Sequence, residues 1–429
     1  MQAMLDLIAQ HKRGIACGVT SICSAHPIVI EAALRHAGRH GESIILFEAT
    51  CNQVNQDGGY TGMTPADFVR FVHGIAREVG IDPARIALGG DHLGPNPWTD
   101  LDAASAMRKA EVMVAAYVAA GFRKIHLDCS MACRGDPAPL PEAQIVARAV
   151  RLCEVAEAAY AQAGGEPPVY VIGTEVPVPG GATEAIEGLA VTTPHAALAT
   201  IQAHRDAFAA AGLDSAWQRV IASVVQPGVE FDHHHVMDYQ PDKARALSHA
   251  ITPVPGTIFE AHSTDYQTRD SLRALVRDHF AILKVGPGVT FAMREALWAL
   301  DAIESEWIEE SRRARLRDVV LERMRERPQH WQRYYHSHGK ALDVDLQYSL
   351  SDRMRYYWPD EVIQQACRDL FDNLRDRPPP VSLISQHLPH ALRALRSGHA
   401  THDPHSLVMA HIGAVLDDYY YACHPQQNH

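Results

Sequence analysis

The segment RIALGGDHLGPNPW (residues 85–98) begins with a short apolar run, passes through two glycines and reaches an acid beside an imidazole, Asp91-His92. Seven other segments also consist of an apolar run that ends in polar side chains: residues 15–23, 43–51, 124–131, 169–176, 219–226, 256–263 and 280–286. Their apolar bodies are nearly continuous, which is typical of strands that are buried on both faces and therefore parallel. The sequence thus predicts eight parallel strands.

Helical patterns lie between these strands. Thr64-Pro65 begins one helix as an N-cap followed by a first-turn proline, and Gly80 ends it. Residues 193–212 repeat this arrangement. Eight strand–helix units predict a protein of the α/β class, a (β/α)8 TIM barrel over residues 1–305. An open doubly wound sheet is the alternative, but no GxGxxG fingerprint loop follows any predicted strand.

The pattern changes after about residue 305. Residues 312–335, RRARLRDVVLERMRERPQHWQRYY, are charged and helical in pattern, and DRPPP at 376–380 predicts a break. No strand pattern follows. We therefore predict that residues 306–429 form a C-terminal helical extension packed on the barrel.

The composition excludes several classes of protein. The chain has 429 residues, of which 47% are hydrophobic and 21% charged, which is ordinary for a globular protein with a large core. Its formal charge of −12 argues against nucleic acid or an anionic membrane as a partner. No run approaches the ~20 apolar residues of a membrane span. The N-terminal MQAMLDLIAQHKRG lacks the pattern of a secretory leader, so we expect a cytoplasmic protein.

Polar side chains collect where the predicted strands end. Enzymes of the barrel class place their chemistry at the C-terminal ends of the strands. A barrel with a purely structural role has no need for so many ionisable groups there, so we predict an active site at this rim. The residues are Ser24, His26, Glu48, Asn52, Asp91, His92, Asp128, Glu175, Gln226, His262, Ser263, Asp265 and Lys284.

Imidazoles beside carboxylates at this rim predict a divalent metal, zinc first and manganese as the alternative. His92 and His262 follow the third and seventh strands. Asp91, next to a predicted ligand, is placed for general acid/base work, and Glu175 is either a ligand or a carrier of protons. The segment FDHHHV (231–236) adds His233, His234 and His235, of which one or two can face inward.

Lys284 admits two interpretations. A strand-end lysine with a lowered pKa can form a Schiff base with a ketose. Alternatively its cation steadies a carboxylate or a phosphate, with the backbone N–H groups of the following VGPG (285–288) assisting, and we favour this second role. No Walker loop occurs, which argues against a nucleotide cofactor, and no GxSxG elbow supports a serine hydrolase.

The strand-end motifs together resemble those of a known family. They are SICSAHPIVIEAAL, FEATCNQVNQDGGYTGMTPADF, LGGDHLGPNPW, KIHLDCSM, VIGTEVPVPGG, VVQPGVEFDH, EAHSTDYQT, DHFAILKVGPGVTFAMREAL and YSLSDRMRYYWP. From about residue 8 to beyond residue 410, the sequence resembles the tagatose-1,6-bisphosphate aldolase Z-type subunit family. The resemblance implies one of two activities. Some members are non-catalytic partners that stabilise a class II tagatose-1,6-bisphosphate aldolase, and others are metal-dependent 4-epimerases of tagatose 6-phosphate and fructose 6-phosphate.

The family is also distantly similar to class II aldolases, in which an Asp-His pair after one strand supplies a base and a zinc ligand. Asp91-His92 matches that pair by residue, whereas Glu175 and His262 match the family pattern more loosely. His233 is our choice from the histidine triplet because it directly follows VEFD, and Glu230 competes with it.

Reaction chemistry favours the epimerase. The C4 proton of a ketose is not alpha to the C2 carbonyl, so inversion requires retro-aldol cleavage of C3–C4, rotation of the aldehyde and re-addition. A Lewis acid and acid/base groups serve that route. We expect an isomerase of sugar or galactitol catabolism in which His92 and His262 bind the metal and His233 or Glu175 completes the shell. Asp91 and Glu175 move protons.

The expected partner is a small-molecule sugar phosphate. SDRMRYYWP (351–359) is expected to close over the rim, although its arginines have the alternative of pairing with Asp352 inside the extension. We also expect a homo-oligomer, and a class II aldolase subunit is the partner if the chain is a stabilising protein. The residues assigned to substrate or phosphate are Asn52, Asp128, Ser263, Thr264, Lys284, Arg353 and Arg355.

Overall fold

The computed structural model describes residues 1–174, 182 and 188–424. Within these ranges eight parallel strands form a closed barrel, which confirms the predicted (β/α)8 architecture. The barrel order is β1-β2-β3-β4-β5-β6-β9-β10, and β10 pairs back with β1, with Val19 opposite Ile282. The strands are β1 (Val19–Ile22), β2 (Ile45–Thr50), β3 (Ile86–Leu93), β4 (Lys124–Leu127), β5 (Val169–Ile172), β6 (Val220–Val225), β9 (Ile258–Ala261) and β10 (Phe280–Val285), and a small antiparallel pair, β7 (Glu230–Phe231) with β8 (Val236–Met237), lies outside the barrel sheet.

Helices surround the barrel and close one of its ends. The first helix, α1 (Gln2–Lys12), places Met4 and Ile8 against Val19 and Leu46 at the N-terminal end of the strands. Apolar side chains therefore seal that end. The rim at which the active site is predicted is at the opposite end. The helices that connect the strands are α2 (Pro27–His40), α3 (Pro65–Glu78), α4 (Ala103–Ala120), α5 (Glu142–Ala163), α6 (Pro194–Ala210), α7 (Asp214–Trp217), α8 (Pro241–Ala250), α9 (Arg269–Arg277) and α10 (Pro287–Trp307), and α1 is Gln2–Lys12.

The predicted helical extension is present. The helix α16 (Pro404–Cys423) returns to the barrel and packs against α2, α9, α10 and β1. α10 ends at Trp307, two residues beyond the expected boundary at 305, and the division into two domains stays a prediction. The extension consists of α11 (Leu316–Glu326), α12 (Lys340–Tyr348), α13 (Glu361–Asp376), α14 (Val381–His387), α15 (Pro389–Arg396) and α16 (Pro404–Cys423). No helix in the described ranges is long and apolar enough to cross a membrane.

Gly89 in β3 and Gly94 directly after it leave room for the charged barrel interior and for the neighbouring strand end. A Cβ atom on Gly89 would lie only 2.7 Å from Cγ of Glu48, and one on Gly94 only 1.7 Å from the carbonyl oxygen of Asp128. A side chain at Gly89 would therefore displace the Glu48 carboxylate from the middle of the barrel. The glycines before and after Asp91-His92 allow close approach of neighbouring strands.

Candidate active site

A layer of buried charges fills the barrel just below the C-terminal ends of the strands. Lys124 Nζ lies 2.7 Å from Oε1 of Glu48 and 2.7 Å from Oε2 of Glu260. Lys284 Nζ lies 2.6 Å from Oδ1 of Asp91 and 2.9 Å from Oε2 of Glu48. These side chains are all at most 5% exposed. In most barrels of this class, Val, Ile and Leu fill the corresponding layers. Each buried carboxylate is paired with an ammonium group, which offsets the cost of its burial.

Three imidazoles form a triangle beside this layer. The ring centroids of His92 and His126 are 5.2 Å apart, those of His92 and His262 are 5.0 Å apart, and those of His126 and His262 are 5.3 Å apart. All three residues are at most 5% exposed. The three rings come from β3, β4 and the end of β9, so the barrel closure brings them together.

Hydrogen bonds set the orientation of the His92 ring. His92 Nδ1 lies 2.7 Å from Oδ2 of Asp128, and a carboxylate only accepts, so Nδ1 donates and Nε2 is left to face the barrel interior. Asp128 is held in turn by the backbone N–H and the hydroxyl of Ser130, at 3.0 and 2.6 Å. Burial disfavours the imidazolium form of His92, but Asp91 and then Asp128 outweigh it and raise its pKa. In metal-binding histidines, the ring nitrogen that does not bind the metal commonly donates to a carboxylate, which fixes the orientation of the ring.

The donor set fits a divalent metal. Asp91, His126, Glu260 and His262 each offer a ligand atom within 4.8 Å of the others. His126 Nδ1 lies 2.9 Å from Oδ1 of Asp91, while its Nε2 is buried and has no hydrogen-bond partner among the described residues. An unpartnered buried nitrogen is costly unless something binds it. His92 faces the same group, with Nε2 3.6 Å from Oδ2 of Asp91. Nitrogen and carboxylate oxygen donors suit zinc or manganese.

A pocket opens directly above this group and, measured to its open mouth, has a volume of about 660 Å³. Tyr60, from the loop after β2, and Arg355 and Tyr356, from the extension, line the pocket together with strand-end residues. The two tyrosine rings are 4.6 Å apart. The extension thus forms part of the pocket wall through residues of SDRMRYYWP, and closure of this segment over the rim stays a prediction.

Two pocket residues have an unusual backbone. His92 and Ser263 adopt positive φ values of 51° and 53°, which residues with a side chain rarely do. Such conformations cost about 1–3 kcal/mol and occur preferentially at functional sites. Both residues lie at the point where a barrel strand turns into its loop. The backbone strain at His92 and Ser263 therefore occurs at two residues that line the pocket.

Seven of the predicted site residues line this pocket. They come from four different strand ends and from the extension, so they meet only through the barrel closure and the docking of the extension. They are Asn52, Asp91, His92, His262, Ser263, Lys284 and Arg355.

The structure places two predicted substrate contacts behind the pocket wall instead. Asp128 supports His92, as described above, and is almost completely buried. Thr264 is also buried, and its hydroxyl donates to the carbonyl oxygen of Lys284 at 2.6 Å and meets the hydroxyl of Tyr419 at 3.1 Å. Both residues hold other parts of the site in position.

The arginines of the extension have different surroundings. Arg353 donates from Nη1 to the carbonyl oxygen of His330 at 3.2 Å and stacks on the ring of Tyr334. It therefore belongs to the packing of the extension, as the alternative interpretation expected, although its partners are not Asp352. Arg355 lines the pocket, and its guanidinium donates to the hydroxyl of Tyr356 at 3.0 Å.

The histidine triplet points away from the pocket. His233 Nδ1 lies 3.0 Å from the hydroxyl of Ser349, and its Nε2 lies 3.0 Å from the carbonyl oxygen of Tyr334. Both of its ring nitrogens are therefore occupied by the extension. The side chains of His234 and His235 are 50% and 75% exposed and pair with carboxylates elsewhere. His233, the predicted ligand, therefore does not face the group of potential metal ligands, whereas His126 does.

Glu230 and Glu175 are the two acids that compete with His233 as predicted metal ligands. Glu230 is buried, and this burial raises its pKa to about 7; its partners are the backbone N–H of Phe231 and the side chain of Ser263. It does not line the pocket. Glu175 lies outside the described residues, so its two possible roles stay predictions.

His126 and Glu260 are not among the residues predicted from the sequence. Each lies two residues before a predicted residue, Asp128 and His262 respectively, and alternate residues of a strand face the same side. Lys124 and His126 on β4 and Asp128 directly after it form one such series. A period of two along each predicted strand was therefore the available signal for the inner residues.

Lys284 carries a charge in this site. Burial alone would lower the pKa of its amine, but Asp91, together with Cys23, Glu48 and Glu260, outweighs burial and raises the pKa well above its ordinary value. A Schiff-base lysine needs a neutral amine. The surroundings of Lys284 therefore favour the role of a cation that steadies carboxylates.

A family model for the D-tagatose-1,6-bisphosphate aldolase subunit GatZ/KbaZ-like proteins matches residues 4–424. The chain belongs to this family. The resemblance noted in the sequence is thus confirmed over nearly the whole chain.

One solved structure agrees closely with the fold. A crystal structure of a protein from Sinorhizobium meliloti, named a probable tagatose 6 phosphate kinase, is 49% identical, covers 95% of this chain and 100% of its own, and has a TM-score of 0.87. The fructuronate-tagaturonate epimerase UxaE from Cohnella laeviribosi is 13% identical, with 94% of this chain and 81% of its own covered and a TM-score of 0.48. The YdjI aldolase from Escherichia coli is 9% identical, with coverages of 86% and 96% and a TM-score of 0.41. The last two are too remote to bear on the chemistry of this chain.

Proposed function

We propose that the protein is a metal-dependent 4-epimerase that interconverts D-tagatose 6-phosphate and D-fructose 6-phosphate. The observation that carries the proposal is the group of Asp91, His92, His126, Glu260 and His262 at the floor of a pocket at the strand ends. Membership of the GatZ/KbaZ-like family supports a tagatose-phosphate substrate.

The reaction inverts C4 without removing its hydrogen. The C4 hydroxyl loses its proton, the C3–C4 bond breaks, and its electron pair moves to the three-carbon fragment with C2 and C3. The other fragment is glyceraldehyde 3-phosphate, which rotates and is attacked on its opposite face. The new C3–C4 bond forms and the C4 oxygen regains a proton. The sequence needs neither an oxidant nor a reductant.

A divalent metal, when bound, would supply a Lewis acid for the carbonyl and hydroxyl oxygens at C2 and C3. His126, His262 and Glu260 are the residues that we assign to it, with His92 as the fourth. Zinc is our first choice and manganese the second, because the donors are mainly imidazoles.

Asp91 is our candidate for the group that takes and returns the proton of the C4 hydroxyl. Its Oδ1 is held by Lys284 at 2.6 Å and by His126 at 2.9 Å, and its carboxylate lines the pocket. These two contacts fix Oδ1 and leave Oδ2 as the oxygen that can accept a proton. A general base needs an oxygen that is held in position in this way. Glu175 remains a second candidate for proton transfer.

Arg355 is our candidate for the phosphate. It lies on the wall that the extension contributes, and a planar guanidinium suits bidentate recognition of a phosphate. Ser263 and Asn52 lie at the same pocket and are candidates for hydrogen bonds to sugar hydroxyls. A substrate bound this way would be shielded from water by the extension.

The competing hypothesis is a non-catalytic subunit that stabilises a class II aldolase. It is favoured by the name of the family, which refers to an aldolase subunit. The buried charges argue for catalysis, because buried ion pairs can usually be replaced by apolar side chains without loss of stability. A purely structural barrel would have no use for them. The cytoplasmic location and the homo-oligomeric state remain predictions.

The chain alone, incubated with tagatose 6-phosphate after EDTA treatment and again with added Zn²⁺ or Mn²⁺, tests the proposal. We expect metal-dependent formation of fructose 6-phosphate that Asp91→Asn abolishes and that Asp57→Asn, an exposed matched control, leaves unchanged. In D₂O the product should carry no deuterium at C4, and labelled glyceraldehyde 3-phosphate should exchange into the hexose phosphate. No conversion with any metal would contradict the epimerase. A rise in aldolase activity on mixing with a class II aldolase subunit would then support the alternative.

A further inference from the structure

A second group of metal-binding side chains lies on the outside of the barrel, away from the pocket. His36 and His40 stand one helical turn apart on α2, and Asp417 faces them from α16. Their ligand atoms lie within 4.8 Å of one another. Histidines at positions i and i+4 of a helix share one face, so both rings can reach one ion.

The contacts converge on one carboxylate oxygen. Oδ1 of Asp417 lies 2.9 Å from Nε2 of His36 and 3.7 Å from Nε2 of His40. The two imidazole rings have centroids 4.5 Å apart, and the ring of Tyr420 lies 4.1 Å from that of His40. The two Nε2 atoms therefore point to the same oxygen, and the ring of Tyr420 packs against that of His40.

The supporting residues resemble those of a metal site. The side chain of His36 is only 4% exposed, and its Nδ1 lies 3.6 Å from Oε1 of Glu42. A carboxylate behind the second ring nitrogen orients an imidazole toward a metal. The side chains of His40 and Asp417 are 34% and 50% exposed, so the site is open to solvent and an ion can enter from outside.

We propose that His36, His40 and Asp417 form a second binding site for a transition-metal dication such as Zn²⁺, which links the C-terminal helix to the barrel. Two imidazoles and one carboxylate are a donor set that zinc accepts, with water in the remaining position. α16 also packs against α9, α10 and β1, so an ion here stabilises the last element of the extension on the barrel. The two carboxylates of Glu42 and Asp417 balance the charge of the ion.

Metal binding to three proteins tests this proposal. Bound zinc per chain and its affinity are measured by calorimetry and elemental analysis for the wild type, Asp417→Asn and Asp418→Asn. Asp418 is the matched control, because it is the neighbouring acid on α16 and pairs with Arg269. We expect Asp417→Asn to bind one zinc ion fewer than the wild type, and Asp418→Asn to bind the same number. This difference does not depend on whether the active site also holds a metal, so failure here leaves the epimerase proposal standing.

Two further variants keep the test independent of folding defects. His40→Ala, at a partly exposed position, should lose the same zinc ion, and Glu42→Gln should weaken its binding about 10- to 100-fold. Zinc should raise the melting temperature of His262→Ala but not that of His262→Ala with Asp417→Asn. Equal zinc content in the wild type, Asp417→Asn and His40→Ala would overturn the proposal and leave an ordinary histidine–aspartate ion pair.

Discussion

Replacement of Lys284 by methionine tests the role of the charged layer. Lys284 Nζ lies 2.6 Å from Asp91, 2.9 Å from Glu48 and 3.8 Å from Glu260, and its side chain is 5% exposed. At an effective dielectric constant of about 20, the attraction to Asp91 alone is roughly 6 kcal/mol. Loss of solvation cancels much of this attraction in the native state. Breaking a buried pair by removing one partner costs about 3–5 kcal/mol, because a carboxylate is left without a counter-charge.

We therefore expect Lys284→Met to lower the free energy of unfolding by about 3–5 kcal/mol in urea titrations with EDTA present. Lys109→Met is the matched control, since Lys109 forms an ion pair of similar length, 2.8 Å, with Asp57 at the surface. It should cost less than about 1 kcal/mol. A loss below about 1 kcal/mol for Lys284→Met would refute the reasoning.

The arginine variant separates the two roles of Lys284. Lys284→Arg keeps the positive charge but cannot form a Schiff base, so it should retain measurable epimerase activity and most of the stability. Borohydride with substrate should not inactivate the wild type. Complete loss of activity in a stably folded Lys284→Arg, together with borohydride trapping, would move the chemistry to this lysine.

Three further predictions follow from the site. Asp128→Asn should reduce metal affinity or turnover about 10- to 100-fold, because the support of His92 is weakened; unchanged zinc affinity and turnover would remove Asp128 from the site. Gly89→Ala should lower stability by about 1–3 kcal/mol and reduce activity, since the new Cβ displaces Glu48, and equal unfolding midpoints for variant and wild type would contradict the packing described here. Arg355→Ala should raise the KM for tagatose 6-phosphate at least tenfold and lower kcat less, with Arg353→Lys as the control from the same segment; a KM equal to that of the wild type would exclude a phosphate contact.

Much of the fold was readable from local pattern. Apolar runs with polar ends predict buried parallel strands, and parallel strands with intervening helices close into a barrel whose strand ends share one rim. The position of Asp91-His92 followed from this alone, because the pair directly succeeds the apolar run of β3. The same reasoning placed Asn52, His262, Ser263 and Lys284 at the pocket.

The inner face of the barrel was harder to read. His126 and Glu260 lie inside strands whose apolar neighbours conceal them, and their side chains point inward only because of the register between strands. Glu260 pairs with Lys124 across the barrel, and the two residues are 136 positions apart. Pattern within one strand predicts which residues share a face, but which face is inside depends on the whole sheet.

The sequence by itself determined the barrel, the rim and the Asp-His pair, since each depends on residues close together in the chain. Only the tertiary structure decided which long-range partners each side chain meets. His233 turns to Ser349 and Tyr334 of the extension, while Arg355, and not Arg353, reaches the pocket. These choices are made when the extension docks on the rim, because hydrogen bonds between segments more than 100 residues apart then compete for the same side chains. The spacing of residues within one segment therefore does not predict which distant partner a side chain will bind.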